Sequence, residues 1–276
     1  DKLRQKFYAS TATALCGANG RYIEMDYQET QMYGDVMAMV KKQLNDFTLD
    51  VAIGGSINDR ITNSTRIDSK NASLKYANVF NLANIVMSSS ASIDQKIDAH
   101  YQLQSVFATA QIGYKEGVFL DLTARNDWSS TLAYTKYEKK GFFYPSVGVS
   151  FLPDKWVKMP EWVSFSKLRG AYSIVGNGVP PFITYPVSYV TAGGEILASD
   201  AAPFAEMKPE MTHSVELGME WKFLQHRLGL NLTYYRTDTY EQFFKLPALA
   251  GDKYAYRYVN AGDIRNQGWE ITLDAT

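Results

Sequence analysis

The feature that most limits what this chain can fold into is a period of two, held over runs of about 9 to 13 residues. In 215–223, Val215, Leu217, Met219, Trp221 and Phe223 alternate with Glu216, Gly218, Glu220 and Lys222. A strand places every one of those apolar groups on one face. Residues 228–235 repeat the pattern, with Leu228, Leu230, Leu232 and Tyr234 against Gly229, Asn231, Thr233 and Tyr235. Only Leu224 to Arg227 lie between, which reads as a hairpin.

The same alternation recurs at Phe47–Ile53, Val106–Ile112, Val118–Ala124, Val147–Phe151, Leu168–Ile174 and Trp269–Leu273, with a weaker run at 35–44. These predict about nine strands and no long helix, an all-β chain. The connections add a second regularity. They are short at 45–46, long at 58–98, short at 114–117, medium at 130–140, modest at 153–163, long at 177–210, short at 224–227 and long at 241–263. In an up-and-down meander alternate connections share one end, so one rim carries turns and the other carries loops. Transmembrane β-barrels of the outer-membrane type have that asymmetry. Run length agrees, because a tilted strand needs roughly 9–11 residues to cross hydrocarbon.

Composition narrows the partners. The 276 residues include 19 Tyr, 14 Phe and 5 Trp, and the net charge of −1 supplies no basic field for nucleic acid. The lone Cys16 forms no internal disulfide. The least polar long stretch, 79–93, is broken by Asn81, Asn84 and serines, so no transmembrane helix is predicted. The chain opens at Asp1 without a basic, apolar leader, which places any export signal outside it.

Aromatic residues near strand ends suit interface girdles: Trp128 and Tyr134 at one end, Phe142, Phe143 and Tyr144 opposite, and Trp156, Trp162 and Phe165 beside the modest turn. In GVFLDLTARNDWSSTL, 117–132, the alternating half reads as a lipid-crossing strand and the polar half as its exit, with Trp128 as the anchor. A soluble sandwich or propeller also alternates, although no repeat of roughly 40–50 residues supports a propeller.

No catalytic chemistry emerges. His100, His213 and His226 are scattered with no zinc spacing, so no metal or other cofactor is expected. Glu216 and Glu220 share a strand face as period two requires, and Gly176-Asn177-Gly178 lacks a P-loop lysine. Asn63-Ser64-Thr65 and Asn231-Leu232-Thr233 match a glycosylation sequon by chance. Ligand contacts are instead expected on the long loops, where Phe182, Tyr185 and Tyr189 lie in 177–210 and Tyr254 and Tyr256 in 241–263. The bland alternative is that these rings pack the loops onto one another.

The run YKEGVFLDLTARNDWSSTL, then GFFYPSVGVSFLPD and FSKLRGAYSIVGNG, resembles consecutive barrel segments of the SusC/RagA family of TonB-dependent outer-membrane transporters. So do MKPEMTHSVELGMEWKFLQHRLGLNLTYYRTDTYEQFF and YVNAGDIRNQGWEITL. The resemblance covers most of 99–276, while 1–98 matches in strand pattern only. It implies a barrel of roughly 22 strands with a plugged lumen, of which 1–276 would be one partial barrel domain, with plug, TonB-contacting segment and terminal strands outside it. It further implies a SusD-like surface lipoprotein as lid, a TonB complex as energy source, an oligosaccharide or peptide as ligand, and the outer-membrane bilayer as surroundings. A passive porin-like or adhesin barrel and a soluble β-rich glycan-binding module remain as alternatives.

Overall fold

In the computed structural model, residues 1–10, 16, 18–70, 74–86, 92–190, 194 and 196–276 are described. The strands are β1 (Lys2–Phe7), β2 (Arg21–Leu44), β3 (Phe47–Asp68), β4 (Ser92–Tyr114), β5 (Val118–Ser129), β6 (Phe142–Phe151), β7 (Val163–Asn177), β8 (Tyr189–Val190), β9 (Ile196–Leu197), β10 (Glu210–Phe223), β11 (Leu228–Tyr240), β12 (Phe243–Pro247), β13 (Tyr256–Asn260) and β14 (Ile264–Ala275). One 10-stranded sheet runs in the order β1-β2-β3-β4-β5-β6-β7-β10-β11-β14, with β8-β9 and β12-β13 as separate ribbons. Neighbours in the large sheet are antiparallel, and β1 and β14 form its open edges.

Cross-strand register turns the sequence alternation into two surfaces. Leu49, Ile112, Leu120, Val149, Gly170, Leu217, Tyr234 and Trp269 stand opposite one another from β3 to β14. One residue along each strand, Asp50, Gln111, Asp121, Gly148, Ala171, Glu216, Tyr235 and Gly268 do the same. Successive side chains point to opposite faces, so the first row belongs to an apolar face and the second to a polar one. No second sheet packs on the apolar face among the described residues, which removes the sandwich reading. Val106, Val149 and Leu217, on interior strands, stay exposed there, at 50%, 45% and 55%. A lipid-facing sheet shows such a band, and a water-soluble one buries it. No described helix is long and apolar enough to cross a membrane.

The alternation of short and long connections holds. One rim has the turns 45–46, 115–117 and 224–227 and the segment 152–162; the other has 69–91, 130–141, 178–209 and 241–263. Three differences from the sequence reading stand out. The connection expected at 58–98 contracts to 69–91, because β3 continues to Asp68 and β4 starts at Ser92. The weak run at 35–44 is the end of a 24-residue strand. β1 brings the large sheet to ten strands rather than about nine. These extensions carry short alternations, Ile23, Met25 and Tyr27 against Glu24, Asp26 and Gln28, and Ile97, Ala99, Tyr101 and Leu103 against Asp98, His100 and Gln102, which the backbone ladder joins to the central runs across an irregularity at Thr62 and Asn63. Residues 87–91 of the stretch 79–93 lie outside the described residues.

The aromatic residues divide between the rims. At the short-turn rim Phe47 packs on Tyr114 with centroids 4.7 Å apart, Tyr114 on Trp156 at 5.5 Å, and Trp162 stacks on Phe223 at 5.6 Å. At the long-loop rim, Asn126 opposes Phe143 and Asp127 opposes Phe142, so the Phe142–Tyr144 segment sits beside Trp128 and not at the opposite end. Phe143 is 57% exposed on the apolar face, whereas Tyr144 opposes Arg125 on the polar face. Tyr144 packs against the loop cluster and is no lipid anchor, because a one-residue step exchanges faces. Tyr134 lies just past the end of β5, in the connection 130–141, with φ +67°.

Candidate functional site: the polar wall and its loop-covered mouth

The polar face is a wall of paired charges. Lys41 meets Asp50 at 2.7 Å, Gln111 donates to Asp121 at 2.7 Å, and Lys222 lies 3.5 Å from Glu220. The Arg125 guanidinium donates to Asp127 and to Ser105 Oγ, each at 2.7 Å. Arg169 donates to Glu216 at 3.2 Å and to Thr233 Oγ1 at 2.7 Å. Both arginines lie between a carboxylate and a hydroxyl from different strands, which restricts side chains that would otherwise sweep the face. Such a wall suits a hydrated passage, since each charge keeps a partner without needing a dry interior.

Above it the long loops build a small core of their own. Leu132, Phe142, Val179, Ile183 and Met207 are buried together, with Tyr137, Tyr144, Phe204, Phe243 and Tyr258 packed around them. Met207 is fully buried at 0% exposure and occupies the cluster with residues from three separate stretches of chain. Backbone bonds tie the layers: Phe204 N–H donates to Thr184 O at 3.1 Å and Ala202 N–H to Tyr256 O at 3.0 Å. Asn260 acts as a staple. Its Oδ1 accepts from Lys208 N–H at 2.8 Å, and its Nδ2 donates to Lys208 O at 2.9 Å and Glu241 O at 2.6 Å.

The loop candidates fall into two groups. Tyr185 is 58% exposed and packs against Tyr134, itself 71% exposed, with centroids 4.9 Å apart. Phe182 is half-buried next to the core residue Ile183 and has φ +65°. Tyr254 and Tyr256 are half-buried around the β12-β13 ribbon, where Lys245 Nζ stands 3.5 Å from the Tyr256 centroid and Lys253 Nζ 5.4 Å from that of Tyr254. The Tyr189 side chain lies outside the described part. The fold therefore joins Tyr185 to Tyr134 and holds Tyr254 and Tyr256 on a neighbouring ribbon. Tyr134 and Phe182 are non-glycine residues in the left-handed region, which costs of order 1–3 kcal/mol each. Asn260 and Met207 had no signal in the sequence, because their partners come from distant loops.

A second, outlying cluster ties down the extension. Tyr22, Leu74 and Ile85 are buried together, and beside them Asp68 has a side chain only 2% exposed. Arg21 donates to its carboxylate at 2.7 and 2.8 Å, Arg66 at 2.6 Å, and Lys70 N–H at 2.9 Å. Burial opposes the charge on Asp68, but the Arg21 and Lys70 hydrogen bonds and the two guanidiniums outweigh it and hold the carboxyl below its ordinary range. Among the described residues no group of His, Cys, Asp and Glu is arranged to hold a metal.

Residues 2–276 match the family described as TonB dependent receptor-like, beta-barrel. The chain belongs to that family. This TonB-dependent receptor barrel is 26% identical over 188 residues to TonB-dependent receptor P26 of Formosa agariphila, a match covering 64% of this chain and 18% of that protein. It is 25% identical over 184 residues to TonB-dependent receptor P3 of the same organism, covering 63% and 18%. The receptor barrel thus spans about a fifth of the length of these curated relatives. Against the solved RagAB peptide transporter it superposes with a TM-score of 0.80 at 18% identity, over 99% of this chain and 30% of that one. That likeness shows a shared fold. Barrels of this family are outer-membrane receptors and transporters, which assigns the apolar face to lipid and the polar face to the lumen.

Proposed function

We propose that this chain forms part of the wall and mouth of a larger plugged barrel that imports an oligomeric nutrient across the outer membrane. TonB drives it through a segment outside these residues, and a SusD-like lipoprotein covers the loop layer as a lid. The observation that carries this reading is the union of an ion-paired lumen wall with a mouth built as a folded layer. A passive pore has no need for three loops packed around a common core.

A peptide is the favoured cargo. The wall offers both signs of charge, Arg125 and Arg169 beside Asp127 and Glu216, to a substrate that carries both, and the fold is shared with a peptide transporter. An oligosaccharide is the second reading, because the exposed Tyr134–Tyr185 pair offers aromatic faces at the mouth.

Uptake of labelled peptides and oligosaccharides by cells carrying the full protein, with and without TonB, tests both. The proposal expects TonB-dependent uptake of one class, with a loss of roughly tenfold or more when Tyr134 and Tyr185 are both replaced by Ser, in line with about 1–3 kcal/mol for a stacking site. Uptake that persists without TonB would replace it with a passive pore.

A further inference from the structure

The sequence holds two Asn-Gly pairs, Asn19-Gly20 and Asn177-Gly178, and the fold treats them differently. In the first, Asn19 Nδ2 donates to Leu74 O at 2.8 Å and its backbone carbonyl accepts from Asn78 N–H at 3.1 Å. Gly20 is buried with φ +89°, and a β-carbon there would stand 2.7 Å from Phe7 O. In the second pair both residues are exposed. Gly176 fixes the chain on one side of Asn177, since a β-carbon at 176 would strike the Tyr144 ring, whereas nothing lies within 4 Å of the same position at Gly178. The Gly178 N–H donates to no backbone carbonyl among the described residues. Asn177 ends β7 and opposes Glu210 of β10, and both strands lie inside the sheet, away from its open edges.

We infer that Asn177 is a self-modifying site: it converts in water to aspartate and isoaspartate, and the new carboxylate loosens the β12-β13 ribbon from the wall. The Gly178 nitrogen, giving its proton to solvent, attacks Cγ of Asn177. The Cγ–Nδ2 bond breaks and ammonia leaves, protonated by water. Water then opens the cyclic imide at either carbonyl, so each turnover consumes one water and releases one ammonia. Opening at the side-chain carbonyl gives aspartate, and opening at the main-chain carbonyl gives isoaspartate with an added methylene in the backbone. Ring closure requires an unencumbered nitrogen and a peptide unit free to turn, which Gly178 supplies and the crowded Gly20 does not.

Glu210 gives the product its effect. One of its oxygens accepts from the N–H of Phe243, the first residue of β12, at 3.1 Å, and the other accepts from Asn177 Nδ2 at 3.4 Å. Conversion replaces that donor with a second carboxylate directly across the strand pair, and like charges so placed repel. Lys208, two residues away, is already paired with Glu241. The Glu210 carboxylate is therefore driven off its shared position, and the ribbon loses an anchor at Phe243. The site stands apart from the choice of cargo and from the energy source.

The test uses the full protein carrying this chain, purified in detergent and aged at mildly alkaline pH in water labelled with heavy oxygen. Peptide mass spectrometry and labelling by isoaspartyl methyltransferase are the readouts. The expected result is the amide-to-acid mass change with one heavy oxygen at Asn177, accumulating roughly tenfold or more faster than at Asn19, whose shielded pair must open first. Gly178→Ala enters open space without a left-handed φ, and it should slow conversion roughly tenfold or more by crowding the attacking nitrogen. Asn177→Asp should reproduce the aged protein, with faster amide exchange at Phe243 and easier proteolysis within 243–260, and Gly178→Ala should show neither. Heat-modifiable electrophoretic mobility confirms that each variant is folded. If Asn177→Asp fails to fold, aged and fresh parent separated by charge make the same comparison. Conversion at Asn177 no faster than at Asn19, or undiminished in Gly178→Ala, would overturn the site. Unchanged exchange at Phe243 in the folded Asn177→Asp variant or the aged parent would overturn its effect on the ribbon.

Discussion

The two rims of this sheet solve different problems with the same strands. At the short-turn rim the chain reverses in two to four residues at 45–46, 115–117 and 224–227, and stability there comes from rings stacked against neighbours, Phe47 on Tyr114 on Trp156 and Trp162 on Phe223. Those turns are tight enough to force Lys115, Glu116, Leu224, Gln225 and His226 into positive φ. At the long-loop rim the connections run to a dozen residues or more, and they have a core around Met207 and a polar staple at Asn260. One rim is an edge finished against lipid and water. The other is a second small structure resting on the first, its order set by contacts between loops and by Phe142 and Tyr144 at the end of β6.

The sharpest way to break that distinction is Met207→Ala. Removing a buried Met side chain costs about 2–5 kcal/mol, and all of it should fall on the loop layer. Limited proteolysis of the protein in detergent should cut within 130–141, 178–209 and 241–263, while heat-modifiable mobility of the wall stays unchanged. Loss of that mobility would mean that the two layers are one cooperative unit.

Asp68 gives a pH-dependent probe far above the membrane-crossing part. Its carboxyl titrates below the ordinary range in the folded state, so the stability it contributes is complete above the unfolded-state value and fades as pH falls through the folded one. Hydrogen exchange at 21–26 and 66–70, taken relative to the intrinsic amide rate at each pH, should therefore accelerate under acid, with the loop core around Met207 unaffected by this group. Asp68→Asn should show the fast exchange already at neutral pH, at a cost of about 1–3 kcal/mol for the charged hydrogen bonds it gives up. Identical acid profiles for the variant and the parent would remove Asp68 as the cause.

Asn260→Ala has a smaller expected effect, about 1–2 kcal/mol for hydrogen bonds partly replaced by water. It should appear as faster amide exchange at Lys208 and across 241–263, with no change at the short-turn rim. The smallest effect belongs to Trp162→Ala. Loss of stacking on Phe223 costs about 0.5–1.5 kcal/mol beyond lost area. Urea unfolding from lipid vesicles should show it, and proteolysis of the long loops should not.

Much of the wall could be read from single residues. Val215, Leu217 and Met219 against Glu216, Gly218 and Glu220 name their faces because lipid on one side and water on the other impose chemistry at every step. The same logic stopped short at 23–27 and 97–103, where the alternation is brief and the ladder is interrupted at Thr62 and Asn63. It failed at Phe142–Tyr144, where aromatic content alone pointed to a girdle and register sent Tyr144 to the lumen side.

The sequence by itself determined the strand period, the short and long connections and the family, because these are local along the chain. Tertiary structure alone decided which loops share a core, which carboxylate and hydroxyl Arg169 reaches, and which tyrosines meet at the mouth. Each of those is a contact between residues far apart in the chain. Their distances are set by sheet register and loop folding, and neither leaves a mark on the residues nearby in sequence.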